Sequence, residues 1–120
     1  MKIQESGEMY LESINLLHKK NGMVRSVDVA SFTGYSKPSV SRAVGLLKKA
    51  ALITVSEEGY ITLTAEGVSI AERMYERHTL LTDFFVSLGV PEDVASQDAC
   101  RIEHVISETS FSALKKHVEG

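Results

Sequence analysis

The sequence predicts a mainly α-helical fold interrupted by one small β-hairpin, and three observations carry that expectation. Apolar residues recur three and four apart through most of the chain, the pattern of helices with one buried face. A single stretch, residues 52–63, instead alternates apolar and polar positions around Glu57-Glu58-Gly59, the mark of a hairpin. Helix-starting Ser, Thr and Pro residues and helix-stopping Gly residues fall between the periodic runs. A chain of 120 residues, 43% hydrophobic and 24% charged, buries enough surface to fold without disulfide or metal staples.

In order, Met9, Tyr10, Ile14, Leu16 and Leu17 mark a first helix between Glu5 and Lys20, stopped by Asn21-Gly22. Ser26 is expected to cap a short second helix with Val27, Val29, Ala30 and Phe32 as its apolar set, ending at Gly34. Ser36 caps a third, with Pro38 tolerated in its first turn and Val40, Ala43, Val44 and Leu47 repeating down to Lys48-Lys49. Two helices joined by a short Gly-containing turn form a helix-turn-helix pattern. The hairpin follows directly, with Ile53, Val55, Ile61 and Leu63 on one face, which is the layout of a winged helix. Thr64 then caps a long helix in which Ile70, Ala71, Met74, His78, Leu81, Phe84, Phe85 and Leu88 are available for burial. Gly89 and Pro91 end it, and Pro91-Glu92-Asp93 opens a helix carrying Val94, Cys100, Ile102, Glu103, His104 and Ile106. A last amphipathic piece holds Phe111, Leu114 and Val118.

The net charge of −3 argues against a nucleic-acid binder until it is divided by position. Residues 1–56 carry eight basic and four acidic side chains, whereas residues 57–120 carry five basic and twelve acidic. The halves are suited to partners of opposite sign. Cys100 is the sole cysteine, so an intramolecular disulfide is excluded and a reducing, cytoplasmic compartment is expected. The opening Met1-Lys2-Ile3-Gln4-Glu5 lacks the apolar run of a signal peptide, and no stretch approaches the ~20 apolar residues of a membrane span.

Residues 29–56 contain no carboxylate, while Lys37, Arg42, Lys48 and Lys49 lie on or beside the third helix. The N-terminal residues of such a helix meet base edges in the major groove, which selects Ser36, Lys37, Pro38, Ser39, Ser41 and Arg42 as DNA-binding candidates. Arg42 is the expected reader, because a guanidinium bonds both acceptors of a guanine edge. Lys37 and the hydroxyls of Thr33, Ser36 and Ser39 suit phosphates. Lys48 and Lys49 serve equally as solvated charges favoured at a helix C-terminus.

In the acidic half, Cys100, Glu103 and His104 stand at i, i+3 and i+4, so on a helix they leave one face. Thiolate, carboxylate and imidazole together make a transition-metal ligand set. Spacing alone favours reading them as a small core residue, a surface charge and a half-buried histidine, since three residues of one helix do not complete a coordination sphere. His78, Met9 and Glu12 are the further candidates. A cysteine nucleophile activated by His104 is the enzymatic alternative, but no exposed helix start or oxyanion hole accompanies it, and no enzyme is expected.

The chain resembles the iron- and manganese-dependent repressors typified by the diphtheria toxin repressor. The resemblance runs through Glu8-Met9-Tyr10-Leu11, Ser39-Val40-Ser41, Leu63-Thr64-Ala65-Glu66-Gly67, Glu76-Arg77-His78 to Leu81, and above all residues 98–107, Asp98-Ala99-Cys100-Arg101-Ile102-Glu103-His104-Val105-Ile106-Ser107. It implies a winged-helix DNA-binding domain over residues 1–64 and a helical metal-binding and dimerisation domain over 65–120. It implies Met9, Cys100, Glu103 and His104 as the metal site that switches on DNA binding, with His78 and Glu12 as ligands of a neighbouring site. Larger iron-type members have Glu and His where this chain has Thr82 and Ser96, and they carry an SH3-like domain beyond the point at which this chain stops. A homodimer on a palindromic operator is implied as well, and Leu80, Leu81, Phe84, Phe85 and Leu88 offer it an apolar surface.

Manganese-type members place carboxylates where this chain has Met9 and Cys100. A thioether and a thiolate match hard Mn²⁺ poorly, so Fe²⁺ is the expected co-repressor with Mn²⁺ as the alternative, while Zn²⁺, Co²⁺ or Ni²⁺ would also bind in vitro. Ligands drawn from helix one and from the acidic half make metal the expected link between DNA-reading and cation-gathering parts. A metal-independent winged-helix repressor answering another ligand is the competing expectation.

Overall fold

The computed structural model describes residues 5–120, so Met1–Gln4 of the expected leaderless start lie outside the described residues. In order these form α1 (Glu5–Asn21), α2 (Ser26–Thr33), α3 (Lys37–Lys49), β1 (Ile53–Val55), β2 (Ile61–Leu63), α4 (Ala65–Ser87), α5 (Glu92–Ile102) and α6 (Glu108–Glu119). The fold is mainly α with a winged helix-turn-helix, as the periodicity predicts. The chain parts into two compact units, one reaching Glu72 and the other running from Arg73 to Gly120, so the division falls within α4. No helix among the described residues is long and apolar enough to cross a membrane.

In the first unit, Leu11, Ile14, Val24, Val29, Val40, Ile53, Ile61 and Ala71 are sealed into one core. The hairpin pairs Ile53 with Leu63, Thr54 with Thr62 and Val55 with Ile61 in antiparallel register. The alternation turns the apolar residues toward the core and leaves Thr54 and Thr62 exposed. Gly59 takes φ +88° to close the wing, a conformation that suits glycine. The Ile61 N–H donates to the Val24 carbonyl at 2.7 Å, fastening the wing to the α1–α2 connection.

Two features of the second helix depart from the expectation. Its N-cap is Arg25, not Ser26, and the Asp28 carboxylate accepts from the Arg25 backbone N–H at 2.8 Å. A carboxylate at that third helical position satisfies the entry, so no hydroxyl is needed one residue later. Val27 and Phe32 are about half exposed, because an eight-residue helix presents a narrow buried stripe centred on Val29. Its left-handed terminus at Gly34, φ +79°, is as expected.

Thr64 caps α4 and also ties it to the wing. Its Oγ1 accepts from the Gly67 N–H (3.2 Å) and donates to the Ala51 carbonyl (3.0 Å), while its own N–H donates to the Leu52 carbonyl (3.0 Å). The same Leu52 carbonyl passes so close to Gly67 that a Cβ there would lie 2.2 Å from it. Farther back, Glu72 joins α1 to the start of α4 through Lys19 Nζ (2.8 Å) and Asn15 Nδ2 (3.3 Å).

In the second unit Met74, Leu81, Ala95, Ala99 and Phe111 form the buried apolar set. Here α4 stops at Ser87 and Gly89 follows at φ +99°, so Leu88 is left 66% exposed. Val94 on α5 and Val118 on α6 are also exposed, since both helices are short and amphipathic. The helix expected to carry Glu103, His104 and Ile106 ends at Ile102. Those residues form the turn into α6, which Ser107 caps by accepting from the Ser110 N–H at 3.0 Å.

Gly67→Ala therefore has to displace backbone and should lower the unfolding free energy by about 2 kcal/mol or more in urea titrations. Gly45→Ala, at an exposed position of α3 with nothing within 4 Å of the added methyl, should raise it by roughly 0.5–1 kcal/mol. Glu72 is held below its ordinary 4.5 by the Lys19 hydrogen bond first and Asn15 second. Its contribution is complete above that value and is lost as pH falls through the depressed folded one. With both partners about half exposed, Glu72→Gln should cost about 0.5 kcal/mol at pH 7 and nothing in strong acid.

Candidate metal centre and nucleic-acid helix

The second unit assembles its chemistry around Glu103. This carboxylate is 1% exposed, at the position where α5 gives way to the turn. Oε2 lies 2.9 Å from Nδ1 of His78 on α4, and Oε1 lies 3.2 Å from Nε2 of His104, whose side chain is nearly buried. On the opposite side of the His78 ring, Nε2 faces the Ser96 hydroxyl of α5 at 3.4 Å. An ionised carboxylate only accepts, so each facing nitrogen either carries a proton or turns its lone pair to a shared cation. The donor chemistry fits a divalent ion: one hard carboxylate with two imidazoles, gathered in a place poor in competing water.

Of the residues singled out in sequence, the structure thus groups His78, Glu103 and His104. Cys100 is outside any disulfide and is exposed on α5, where Ala95 and Ala99 take the buried face. That removes the reading of Cys100 as a small core residue, and burial likewise removes the reading of Glu103 as a surface charge. Met9 and Glu12 belong to the first unit, one turn apart on α1. Met9 packs half-buried against the core, and the Ser13 hydroxyl donates to its carbonyl at 2.9 Å. Thr82, one turn beyond His78, donates its hydroxyl to the His78 carbonyl at 2.7 Å.

Arg77 is the residue that sequence reasoning passes over. It falls between Met74 and Leu81 on the buried stripe of α4 and is itself 7% exposed. A cation on a buried stripe requires a partner, and that signal was present in the sequence. Its Nη1 donates to the carbonyls of Glu103 (3.0 Å) and Ile106 (2.9 Å), and its Nη2 donates to Glu108 Oε2 (2.8 Å).

In the first unit Ser36 is the N-cap of α3, with Oγ accepting from the Ser39 N–H and donating to Ser39 Oγ. Lys37, Pro38, Ser41 and Arg42 are exposed along the first turns, and Lys48 and Lys49 along the last. Val40, Val44 and Leu47 anchor the opposite face. The helix therefore presents cations and hydroxyls outward from a fixed base. Thr33 is less available than the sequence suggests, since its hydroxyl donates to the Val29 carbonyl and accepts from the Tyr35 N–H.

Residues 64–120 match the family model described as iron dependent repressor, metal binding and dimerisation domain. Over 106 residues, 88% of this chain and 68% of the relative, it is 35% identical to the transcriptional regulator MntR of Escherichia coli. Among solved structures it is similar to the manganese regulator SloR, with a TM-score of 0.85, 25% identity, and 99% of this chain covered against 55% of that one. A manganese-dependent transcriptional repressor in complex with manganese matches with a TM-score of 0.86, 26% identity, and coverages of 94% and 52%. The chain thus spans about half the length of these solved structures.

Proposed function

This chain belongs to the diphtheria toxin repressor family of metal-dependent transcriptional regulators, and on that premise we propose that it represses transcription from a DNA operator when loaded with Mn²⁺. The family is one of regulators and not of enzymes, so the reading of Cys100 as a nucleophile is dropped. The observation that carries the proposal is the nearly complete burial of Glu103 against two imidazoles.

His78, Glu103 and His104 are the ligands proposed from the second unit, together with Cys100. Met9 and Glu12 are added on the strength of the sequence resemblance. The expected preference for Fe²⁺ gives way to Mn²⁺ for two reasons. Two solved relatives are described as manganese regulators, and the thiol that argued for softness is exposed while the buried donors are a carboxylate and imidazoles. Bound metal supplies positive charge to an acidic region. Glu103, His78 and His104 hold it; Arg42 reads bases; Lys37 and the Ser39 hydroxyl take phosphates, while Ser36, whose hydroxyl is engaged in the α3 cap, holds the helix start; Pro38 and Ser41 line the approach of α3.

A homodimer is part of the proposal. Exposed Val86 and Leu88 with half-buried Phe84 and Phe85 leave the end of α4 apolar, and two copies would set their α3 helices about 34 Å apart on a palindromic site.

Fluorescence anisotropy with promoter DNA tests this reading. Mn²⁺ added to chelated protein should tighten operator binding by about tenfold or more, within the usual range of coupling between sites, and anaerobic Fe²⁺ should act less strongly. Arg42→Ala should weaken operator binding about tenfold and relax base preference while Mn²⁺ uptake is unchanged. Glu103→Ala should abolish the response to metal. Equal affinity in chelator and in every metal would overturn the proposal and favour the metal-independent repressor.

A further inference from the structure

Arg77 directs both terminal nitrogens of its guanidinium to one short segment. The carbonyls it receives, Glu103 and Ile106, belong to the turn between α5 and α6, and Glu108 opens the helix that follows. The Glu103 carbonyl, at the end of α5, has no partner within the helix, and Arg77 donates to it and to the Ile106 carbonyl in the turn. Its Cζ also stands 5.2 Å from the centroid of Phe111, the buried anchor of α6. His78, the next residue along α4, meets the same Glu103 at its carboxylate. Two consecutive residues of one helix thus hold the main chain and the side chain of a single glutamate.

We infer that Arg77 is a positioning residue for the metal site: it fixes the turn so that Glu103 and His104 present their donors before a cation arrives. The inference rests on the metal-binding reading above. Donors ordered in advance lose less freedom on binding, so affinity rises without any new contact to the ion. Removing groups that orient metal ligands typically weakens binding about 10–100-fold. Lysine cannot substitute, because a single ammonium lacks the planar fork that reaches two carbonyls and a carboxylate together. An arginine that merely stabilised the fold would leave metal affinity intact in any variant that remains folded.

The experiment uses the full chain at a temperature where circular dichroism shows each protein folded, and counts free Mn²⁺ by its electron paramagnetic resonance signal. Arg77→Met, which keeps an unbranched apolar side chain on the buried stripe of α4, should weaken Mn²⁺ binding about tenfold or more. Arg77→Lys should do the same, and it carries the test if Arg77→Met does not fold. Glu108→Gln removes only an exposed ion-pair partner and should change Mn²⁺ binding by about threefold or less. A folded Arg77→Met or Arg77→Lys that binds Mn²⁺ like the parent overturns the positioning role alone. A parent that takes up neither Mn²⁺ nor Fe²⁺ overturns the metal reading and this inference with it.

Discussion

A carboxylate shut away from water must be met by donors or by a cation, and at Glu103 this requirement organises the second unit. Desolvating an ion costs several kcal/mol even after the protein relaxes, so nothing around it is incidental. His78 approaches from α4 and His104 from the adjoining residue. The chain leaves the α5 helix at Glu103 and turns, which frees carbonyls that the buried Arg77 then receives. Ser107 restarts the helix and Phe111 closes over the guanidinium. The turn and the start of α6 are held by Arg77 through main-chain carbonyls and Glu108, while the enclosed carboxylate of Glu103 is met by the two imidazoles.

The first unit follows a different logic, in which apolar packing fixes a surface. Val40, Val44 and Leu47 set α3 on the core, and the cap at Ser36 satisfies its entry. The acid-free run of residues 29–56 ends at the wing tip, where Glu57 and Glu58 are exposed. Two carboxylates at the apex repel phosphate, which is why the proposed base-reading role is given to α3 and not to the wing. The wing contributes architecture instead, through Ile53 and Ile61 in the core and through the close passage of the Leu52 carbonyl at Gly67.

Most of this architecture was legible in the sequence because it depends on local rules. Helical spacing, the Ser36 and Thr64 caps, the alternation of residues 52–63 and the left-handed glycines are all read within a few positions. What escaped is of two kinds, local signals that compete with one another and contacts between distant segments. The Arg25 cap is set by a carboxylate three residues on, a signal as strong as the serine that was preferred. The end of α5 at Ile102 was hidden because residues 98–107 keep helical spacing through the turn. Burial of Glu103 was invisible, since spacing treats Cys100, Glu103 and His104 as equals on one face. The structure ranks them, exposing the thiol and enclosing the carboxylate.

That ranking bears on which ion the chain is built to sense. Ligand softness weighs every candidate donor alike, and on that count Met9 and Cys100 favour iron. A buried donor, however, exchanges less readily with water and holds a more fixed position, so it has more influence on which coordination geometry is accepted. In the proposed site an enclosed carboxylate and two imidazoles would set the geometry, and an exposed thiol would complete the coordination sphere without defining it. Metals high in the Irving–Williams order still bind such a set more tightly than Mn²⁺ does. Discrimination must then come from how far each ion can adapt to donors already fixed in place, and in the proposed site Glu103 is such a donor, its main-chain carbonyl held by Arg77 and its carboxylate by His78.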